Sequence, residues 1–294
     1  MRLPRITVVT PSFNQAAFLE TTILSVLGQC YPNLEYMVMD GGSTDGSVEI
    51  IRRYEAQLAH WTSAPDGGQS AAINTAFARA TGDILCWINS DDFLLPGTLL
   101  RMARQFADHA AEPRLIYGSC LFFEDAGKRA KVVRARAFDP AVLRLSAFII
   151  QPSAFWTRTL WERTGPLDPA LSFAFDWDWF VRASTVGSFE RCEEILSAYR
   201  LHAAHKSGSG GEERRQEIIC VARRHATPEQ VAAYEFLNRH WVALEKLRGV
   251  EGRLQQQHIP GAEIWARVVT RFPGRPPGVS AEDLKLCEGM LHGS

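Results

Sequence analysis

No stretch of the 294 residues reaches the roughly 18 consecutive apolar residues that a membrane-spanning helix requires. The six cysteines, Cys30, Cys86, Cys120, Cys192, Cys220 and Cys287, form no C-x-x-C pair. They read as reduced thiols of a cytoplasmic protein, and a disulfide framework or a cysteine zinc site is not expected. An excess of charge of one sign is also missing. Lys plus Arg number 32 and Asp plus Glu 33, a net charge of −1, so no basic field argues for nucleic acid. Met1 to Arg5 lead straight into a predicted strand, with no apolar run of the signal-peptide kind. There is no G-x-G-x-x-G after that strand and no G-x-x-x-x-G-K-[ST], which removes support for a dinucleotide fold and for a P-loop. Peripheral membrane contact, at the inner face of a membrane, and homo-oligomerisation both stay open.

What is present is an ordinary globular composition, 46% hydrophobic and 22% charged, enough for one large domain or two small ones. The chain is organised around Ile84 to Asp92. Five apolar residues, Ile84 to Ile88, suit a strand buried on both faces. The run stops at Asn89, Ser90, Asp91 and Asp92, which puts two carboxylates at a strand's carboxyl end, where open α/β sheets bind ligands. Adjacent acids repel unless a cation or a hydroxyl engages them. Hard oxygen donors suit Mg²⁺ or Mn²⁺. The plainer alternative is a turn that caps the next helix.

Strand and helix alternate through the first half. Strands are predicted at Ile6–Thr10, Leu34–Met39, Trp61–Ser63, Ile84–Ile88 and Leu115–Tyr117. Helices are predicted after Asn14, after Gly46, over Gln69–Ala80 and over Thr98–Ala107. The pattern implies a mainly parallel sheet with helices on both faces. Three polar loops, Pro11–Asn14, Asp40–Gly42 and Asn89–Asp92, follow successive strands and converge on one sheet edge. In the second half Phe122–Ala137 reads as a basic hairpin or surface loop, and Gln151–Trp156 as a buried extended segment. Phe173–Phe180 packs aromatics around Asp176 and Asp178, and an unpaired carboxylate inside such a cluster is costly. Ile195–Tyr199 is a strand leading to His202, followed by a flexible Gly208–Gly211. The tail from Glu212 reads as helical. Thr227 to Gln230 is a capping box opening a helix towards Arg248, Pro273–Gly278 is a linker, and Ser280 starts a last helix.

The motifs Val8–Asn14, Ser25–Gln29, Val38–Gly46, Ala72–Asn74, Ala80–Asp83 and Asn89–Asp92, in this order, resemble family 2 glycosyltransferases. The segments Gln151–Phe155, Gly165–Asp168, Asp176–Arg182 and Tyr199–Ser207 extend the resemblance over residues 4 to 207. The resemblance implies an α/β chain with the GT-A fold and a C-terminal helical extension. It implies an inverting enzyme of polysaccharide biosynthesis that takes a sugar from a UDP, dTDP or GDP donor to a saccharide or lipid-linked acceptor, with Mn²⁺ or Mg²⁺.

By the same resemblance, Thr10, Pro11, Ser12, Phe13, Asn14, Asp40, Asp66, Gln69, Ser90 and Asp91 bind the nucleotide. Asp92 holds the metal directly, with Asp91 and His202 beside it. Asp176 is the general base, and Gln151 and Trp177 face the sugar or the acceptor. One departure is visible: many relatives carry two acids after the second strand, and here the second is Gly41, so either Asp40 acts alone or Asp66 takes over base recognition. His202 reads equally well as a surface histidine. The implied divisions are a nucleotide-sugar half (1–117), an acceptor half (118–211) and a helical extension (212–294). Two other classes remain. A sugar-nucleotide pyrophosphorylase would want a Gly-rich, Lys/Arg-bearing loop where Pro11–Asn14 stands. A silent scaffold subunit would have no need of Asp91, Asp92 and Asp176.

Overall fold

The computed structural model describes residues 3–124, 129–202, 205–206, 210–256, 268–269, 271–272 and 274–292. The tip of the predicted 122–137 hairpin, Ser207–Ser209 and Pro273 lie outside the described residues. The described chain forms two compact units, residues 1–140 with 148–205, and residues 141–147 with 206–294.

In the first unit the elements run β1 (Ile6–Ser12), α1 (Ala16–Leu27), β2 (Leu34–Asp40), α2 (Ser47–Arg53), β3 (His60–Ser63), α3 (Gln69–Arg79), β4 (Ile84–Trp87), β5 (Phe93–Leu94) and α4 (Thr98–Phe106). Then follow β6 (Arg114–Glu124), β7 (Ala130–Val133), β8 (Ala154–Thr157), α6 (Arg158–Thr164), α7 (Phe175–Ala183) and β9 (Ser188–Leu201); the single turn α5 (Pro140–Leu143), between β7 and β8, falls almost wholly in the second unit. The sheet order is β3-β2-β1-β4-β8-β6-β9-β5, with β7 on β6. The first four strands pair in parallel, as the alternating sequence predicts. Beyond β4 the sheet turns mixed: β8 is antiparallel to β4 and to β6, while β9 runs parallel to β6.

Apolar β1, β2 and β4 are buried along nearly their whole length, the pattern of strands covered on both faces. Their register aligns Ser12 with Asp40 and Asp40 with Ser63, so the polar ends of three strands form one row. At the opposite edge, buried Glu35 ties strands together by accepting from the Thr7 hydroxyl (2.5 Å) and from the Thr81 amide and hydroxyl (2.7 and 2.6 Å). Its carboxylate also faces Arg5 at 3.2 Å.

Two strands are much longer than their apolar cores suggest. β6 continues through 117/118, the boundary expected between two halves, because it pairs with β8, β9 and β7 along its length. The ladder to β9 slips between Tyr117 and Cys120. Gly118 sits at that slip, where a Cβ would come within 2.7 Å of the Glu194 carbonyl and the Leu196 side chain. Only a residue without a side chain permits that approach.

The second unit holds the helices Gly211–His225, Pro228–Arg239, Trp241–Gln256 and Ala281–His292, together with the short segment 141–147. Thr227 and Gln230 form the predicted capping box. The single helix expected towards Arg248 is instead two: His240 leaves helical geometry (φ −102°, ψ 12°), and its ring packs against Phe236 and Phe272 at 5.1 and 4.7 Å. Arg214 caps the last helix by donating to the Met290 and Leu291 carbonyls, both at 2.9 Å. The Tyr234 hydroxyl donates to the Leu145 carbonyl.

Candidate active site

The β1 strand carries Thr10, Pro11 and Ser12 into the sheet interior, all three buried. Thr10 shares a 3.0 Å hydrogen bond with the buried Tyr36 hydroxyl, and the Ser12 hydroxyl has no partner among the described residues. Phe13 and Asn14 leave the sheet. Phe13 is 61% exposed, the chain's one large aromatic so open among the described residues. Asn14 adopts a left-handed backbone (φ 51°) that turns the loop. Its amide donates to Ser43 Oγ at 2.7 Å, and its side-chain oxygen accepts from the Thr44 amide at 3.0 Å. The loops after β1 and β2 are therefore laced together. Asp45 closes the lacing by accepting from the Ala16 amide, at the start of α1, and from Ser47.

Asp40 and Asp66 stand in opposite situations. Asp40 is 1% exposed, and its carboxylate accepts from the Gly42 amide, the Ser43 amide, the Ser43 hydroxyl and the Ser63 hydroxyl, all within 3.1 Å. It shapes the loop. Asp66 is exposed, and its Oδ1 accepts only from the Gly68 amide at 2.8 Å among the described residues.

The centre of the site is the turn after β4. Gln69, the first residue of α3, donates to Asn89 Oδ1 at 2.8 Å, and the Asn89 amide reaches Asp92 Oδ2 at 3.5 Å. The Thr22 hydroxyl of α1 lies 2.9 Å from the Ser90 carbonyl and 2.6 Å from the Asp92 carbonyl, which fixes the turn's backbone. Asp92 is 2% exposed, and its Oδ1 accepts from the Arg200 amide at 3.0 Å. Burial, and then the neighbouring Asp91 charge, push the Asp92 carboxyl well above the usual carboxylate range; the Arg200 amide, the Asn89 side chain and the Arg200 charge oppose this. Asp91 is more open, and its Oδ2 lies 3.1 Å from His202 Nε2. The His202 ring packs at 4.5 Å on Phe18, so it is not a free surface histidine.

Arg200 and Asn89 carry structural roles that the sequence pattern assigns to neither. Arg200 Nε donates to the Asp91 carbonyl at 3.0 Å, and its guanidinium lies over the rings of Phe18 and Phe123, each centroid 4.9 Å away. The one available signal is its place two residues before His202 at the end of a strand.

Asp176 and Asp178 occupy the first turn of α7. Asp176 is half-buried and its Oδ1 caps the Trp177 amide at 2.8 Å. Asp178 is 2% exposed and pairs with Arg182, four residues on, at 2.8 Å. Arg182 also donates to the Thr164 and Pro166 carbonyls. Two contacts tie this region to β4 and α3: Phe175, at the start of α7, packs 6.2 Å from Trp87 at the end of β4, and Asn74 of α3 bonds Leu167 in both directions. Gln151 is buried beside the same strand end and donates to the Trp87 carbonyl at 2.8 Å. Trp177, which the resemblance places against sugar or acceptor, is fully buried.

Among the described residues no group of three or more His, Cys, Asp or Glu is arranged to hold a metal ion. The Asp91–His202 pair nonetheless fits Mg²⁺ or Mn²⁺ of the kind that takes one or two protein ligands and completes its shell with water and substrate phosphate.

Residues 7–147 match the model of the Glycosyl transferase family 2. An uncharacterized glycosyltransferase of Mycobacterium tuberculosis is 41% identical over 92% of this chain and 98% of its own length. Chondroitin synthase of Pasteurella multocida is 23% identical over 80% of this chain, which spans only 24% of that protein. Among solved structures, the mannosyltransferase PcManGT from Pyrobaculum calidifontis, in complex with GDP-Man and Mn²⁺, covers 98% of this chain and 86% of its own, with TM-score 0.59 and 18% identity. S. aureus TarS 1-349, in complex with UDP-GlcNAc, covers 98% and 89%, with TM-score 0.58 and 17% identity. The fold is GT-A, a curled mixed sheet flanked by helices. The chain belongs to glycosyltransferase family 2.

Proposed function

We propose that the chain is a metal-dependent, inverting glycosyltransferase that moves a sugar from a nucleotide-diphosphate donor to a saccharide or lipid-linked acceptor. The observation that carries this reading is the Asp91–His202 pair, held by Arg200 and Thr22 at the carboxyl end of β4. Phe13 and Asn14 form the nucleotide side of the crevice. The resemblance gives direct metal contact to Asp92. Accessibility favours Asp91 with His202 as the holding pair, with buried Asp92 behind them fastening β9 to the turn. The divalent ion, when bound, would neutralise the charge of the departing diphosphate as a Lewis acid. Asp176 takes the proton from the attacking hydroxyl; its position at a helix start favours the ionised form. One displacement by that hydroxyl inverts the anomeric centre, and no second nucleophilic carboxylate is needed.

The solved relatives named above carry UDP-GlcNAc, or GDP-Man with Mn²⁺, which supports a nucleotide-sugar donor and a metal. The six free cysteines fit a reducing compartment, and among the described residues no helix is long and apolar enough to cross a membrane. The test is hydrolysis or transfer from a panel of nucleotide sugars, with Mn²⁺ or Mg²⁺ and with EDTA. Turnover of at least one donor that EDTA abolishes is expected. Turnover insensitive to EDTA would remove the metal, and turnover of no donor would return the silent-scaffold reading.

A further inference from the structure

Residues 126 to 138 hold five basic residues, Lys128, Arg129, Lys131, Arg134 and Arg136, and no acid, although the whole chain carries a net charge of −1. Arg129, Lys131, Arg134 and Arg136 are all exposed, and among the described residues none of the four pairs with a carboxylate. Exposed cations elsewhere in this unit do find acids: Arg53 faces Glu20 at 3.1 Å, and Arg101 faces Glu194 at 3.7 Å.

The backbone that carries the four cations is fixed in place. β7 is paired with β6 from Ala130 to Val133. Beyond the ladder, the Ala135 amide donates to Ser119 Oγ at 3.1 Å, and the Tyr117 hydroxyl donates to the Arg136 carbonyl at 2.8 Å. Ala135 is buried, while Arg134 and Arg136 on either side of it stand on the solvent side. The Arg136 guanidinium lies over the Phe148 ring, 5.2 Å from its centroid. From Arg129 to Arg136 this extended strap covers about 23 Å at the usual strand rise.

Register sets the strap level with the turn that carries the diacid. Phe93, the residue after Asp92, pairs with Ala198, Ala198 with Leu121, and Leu121 with Val132. Three strand spacings put Val132 about 14 Å from Phe93, a gap that a short oligosaccharide spans. Cations on an edge strand also deter pairing with another chain, and Lys131 serves that purpose. Arg134 and Arg136 lie past the last ladder pair, Cys120 with Val133, where there is no edge to guard. A membrane surface fits less well. It asks for apolar anchors beside the cations, and none of the large apolar side chains that stand exposed among the described residues belongs to this segment.

A single file of guanidinium and ammonium groups matches a linear chain with anionic groups repeated along it, because the arginine fork takes carboxylate or phosphate oxygens in pairs. We propose that Arg129, Lys131, Arg134 and Arg136 form a docking track for a linear saccharide bearing carboxylate or phosphate groups, and that the acceptor is such an anionic chain. This rests on the glycosyltransferase reading and names its acceptor class: among linear polyanions, a saccharide is what such an enzyme extends.

The experiment is titration of the full chain with oligogalacturonate, with a phosphomannan fragment and with neutral maltooligosaccharide of matched length, followed by calorimetry at low and high salt. At least one anionic chain is expected to bind about tenfold or more tightly than the neutral one, and to lose that advantage at high salt. The triple variant Arg129→Gln, Lys131→Gln, Arg134→Gln should weaken anionic binding about tenfold, the combined worth of three exposed ion contacts. Arg52→Gln, Arg79→Gln, Arg104→Gln removes the same charge from α2, α3 and α4 and should leave binding unchanged. Melting should be unchanged in both variants. With a donor that turns over, the anionic chain should raise turnover, and the first triple variant should raise KM for that chain with kcat kept. Equal binding of charged and neutral chains, or equal losses in the two variants, overturns the inference while donor turnover leaves the glycosyltransferase reading standing. Tighter binding of oligo(dT), or of phosphatidylglycerol vesicles, than of either anionic saccharide also overturns it, in favour of a nucleic acid or a membrane. Turnover of no donor overturns the acceptor assignment together with the reading beneath it.

Discussion

The acid pair after β4 and the acid pair opening α7 each bury one member and leave the other open, but they answer the buried charge differently. Asp178 faces a guanidinium at 2.8 Å, itself anchored on two carbonyls. Asp92 faces a main-chain amide and an asparagine side chain. A buried ion pair is a fixed structural device, because removing one partner strands the other. Asp92 is held chiefly by neutral donors, with the Arg200 charge as a weaker counterweight, and its carboxyl lies well above the usual range. The buried member of the second pair orients a helix, and on the proposed function the open member of the first pair is the one placed to meet a cation.

The sharpest way to break this comparison is Asp176→Asn. Transfer is expected to fall about 10²–10⁴-fold, the usual contribution of a general base, while binding of the nucleoside diphosphate persists. Near-normal transfer in a steady-state assay would remove Asp176 from its role. Asp178→Asn should instead cost about 3 kcal/mol of stability in denaturant unfolding, with the rate per folded molecule kept. A folded but inactive Asp178→Asn would exchange the roles of the two acids.

The turn after β4 yields a finer contrast. Asp91→Asn should weaken the Mn²⁺-dependent part of nucleotide binding about tenfold or more. Asp92→Asn still offers an oxygen to the Arg200 amide and should change stability by about 1 kcal/mol or less. If Asp92→Asn is the variant that loses metal dependence, direct contact belongs to Asp92 after all. The smallest effect is expected at Glu35, a buried acid remote from both pairs. Burial raises its pKa, but hydrogen bonds from Thr7 and Thr81 and the Arg5 charge outweigh burial and hold it below the usual 4.5. With the folded value depressed, the stability it contributes is present above pH 4.5 and is lost as pH falls through the folded value. Glu35→Gln should flatten that acid limb of melting temperature against pH. An unchanged limb would mean that other carboxylates set it.

These contrasts mark what could be read from residue order. The parallel half, the diacid turn, the Thr227 capping box and the Asp178–Arg182 pair all depend on neighbours within a few positions, and local pattern shows them. Which acid of a pair lies open depends on distant partners. Arg200 is 108 residues from the Asp92 it holds, and no periodicity near Asp92 announces it. The burial of Trp177 is likewise set by partners that the local pattern does not show. The break at His240 escapes because the helical pattern continues through it, and packing against Phe272 decides the matter.

Residues 141–147 belong with the helical tail and not with the strands on either side of them. During synthesis that segment leaves the ribosome long before its partners. The Tyr234 hydroxyl that bonds the Leu145 carbonyl is made 89 residues later. At about 5–20 residues per second the wait is roughly 4–18 s. For that interval buried Leu143 and Leu145 lack their final cover, so a chain stalled before Tyr234 displays an apolar loop to chaperones and proteases.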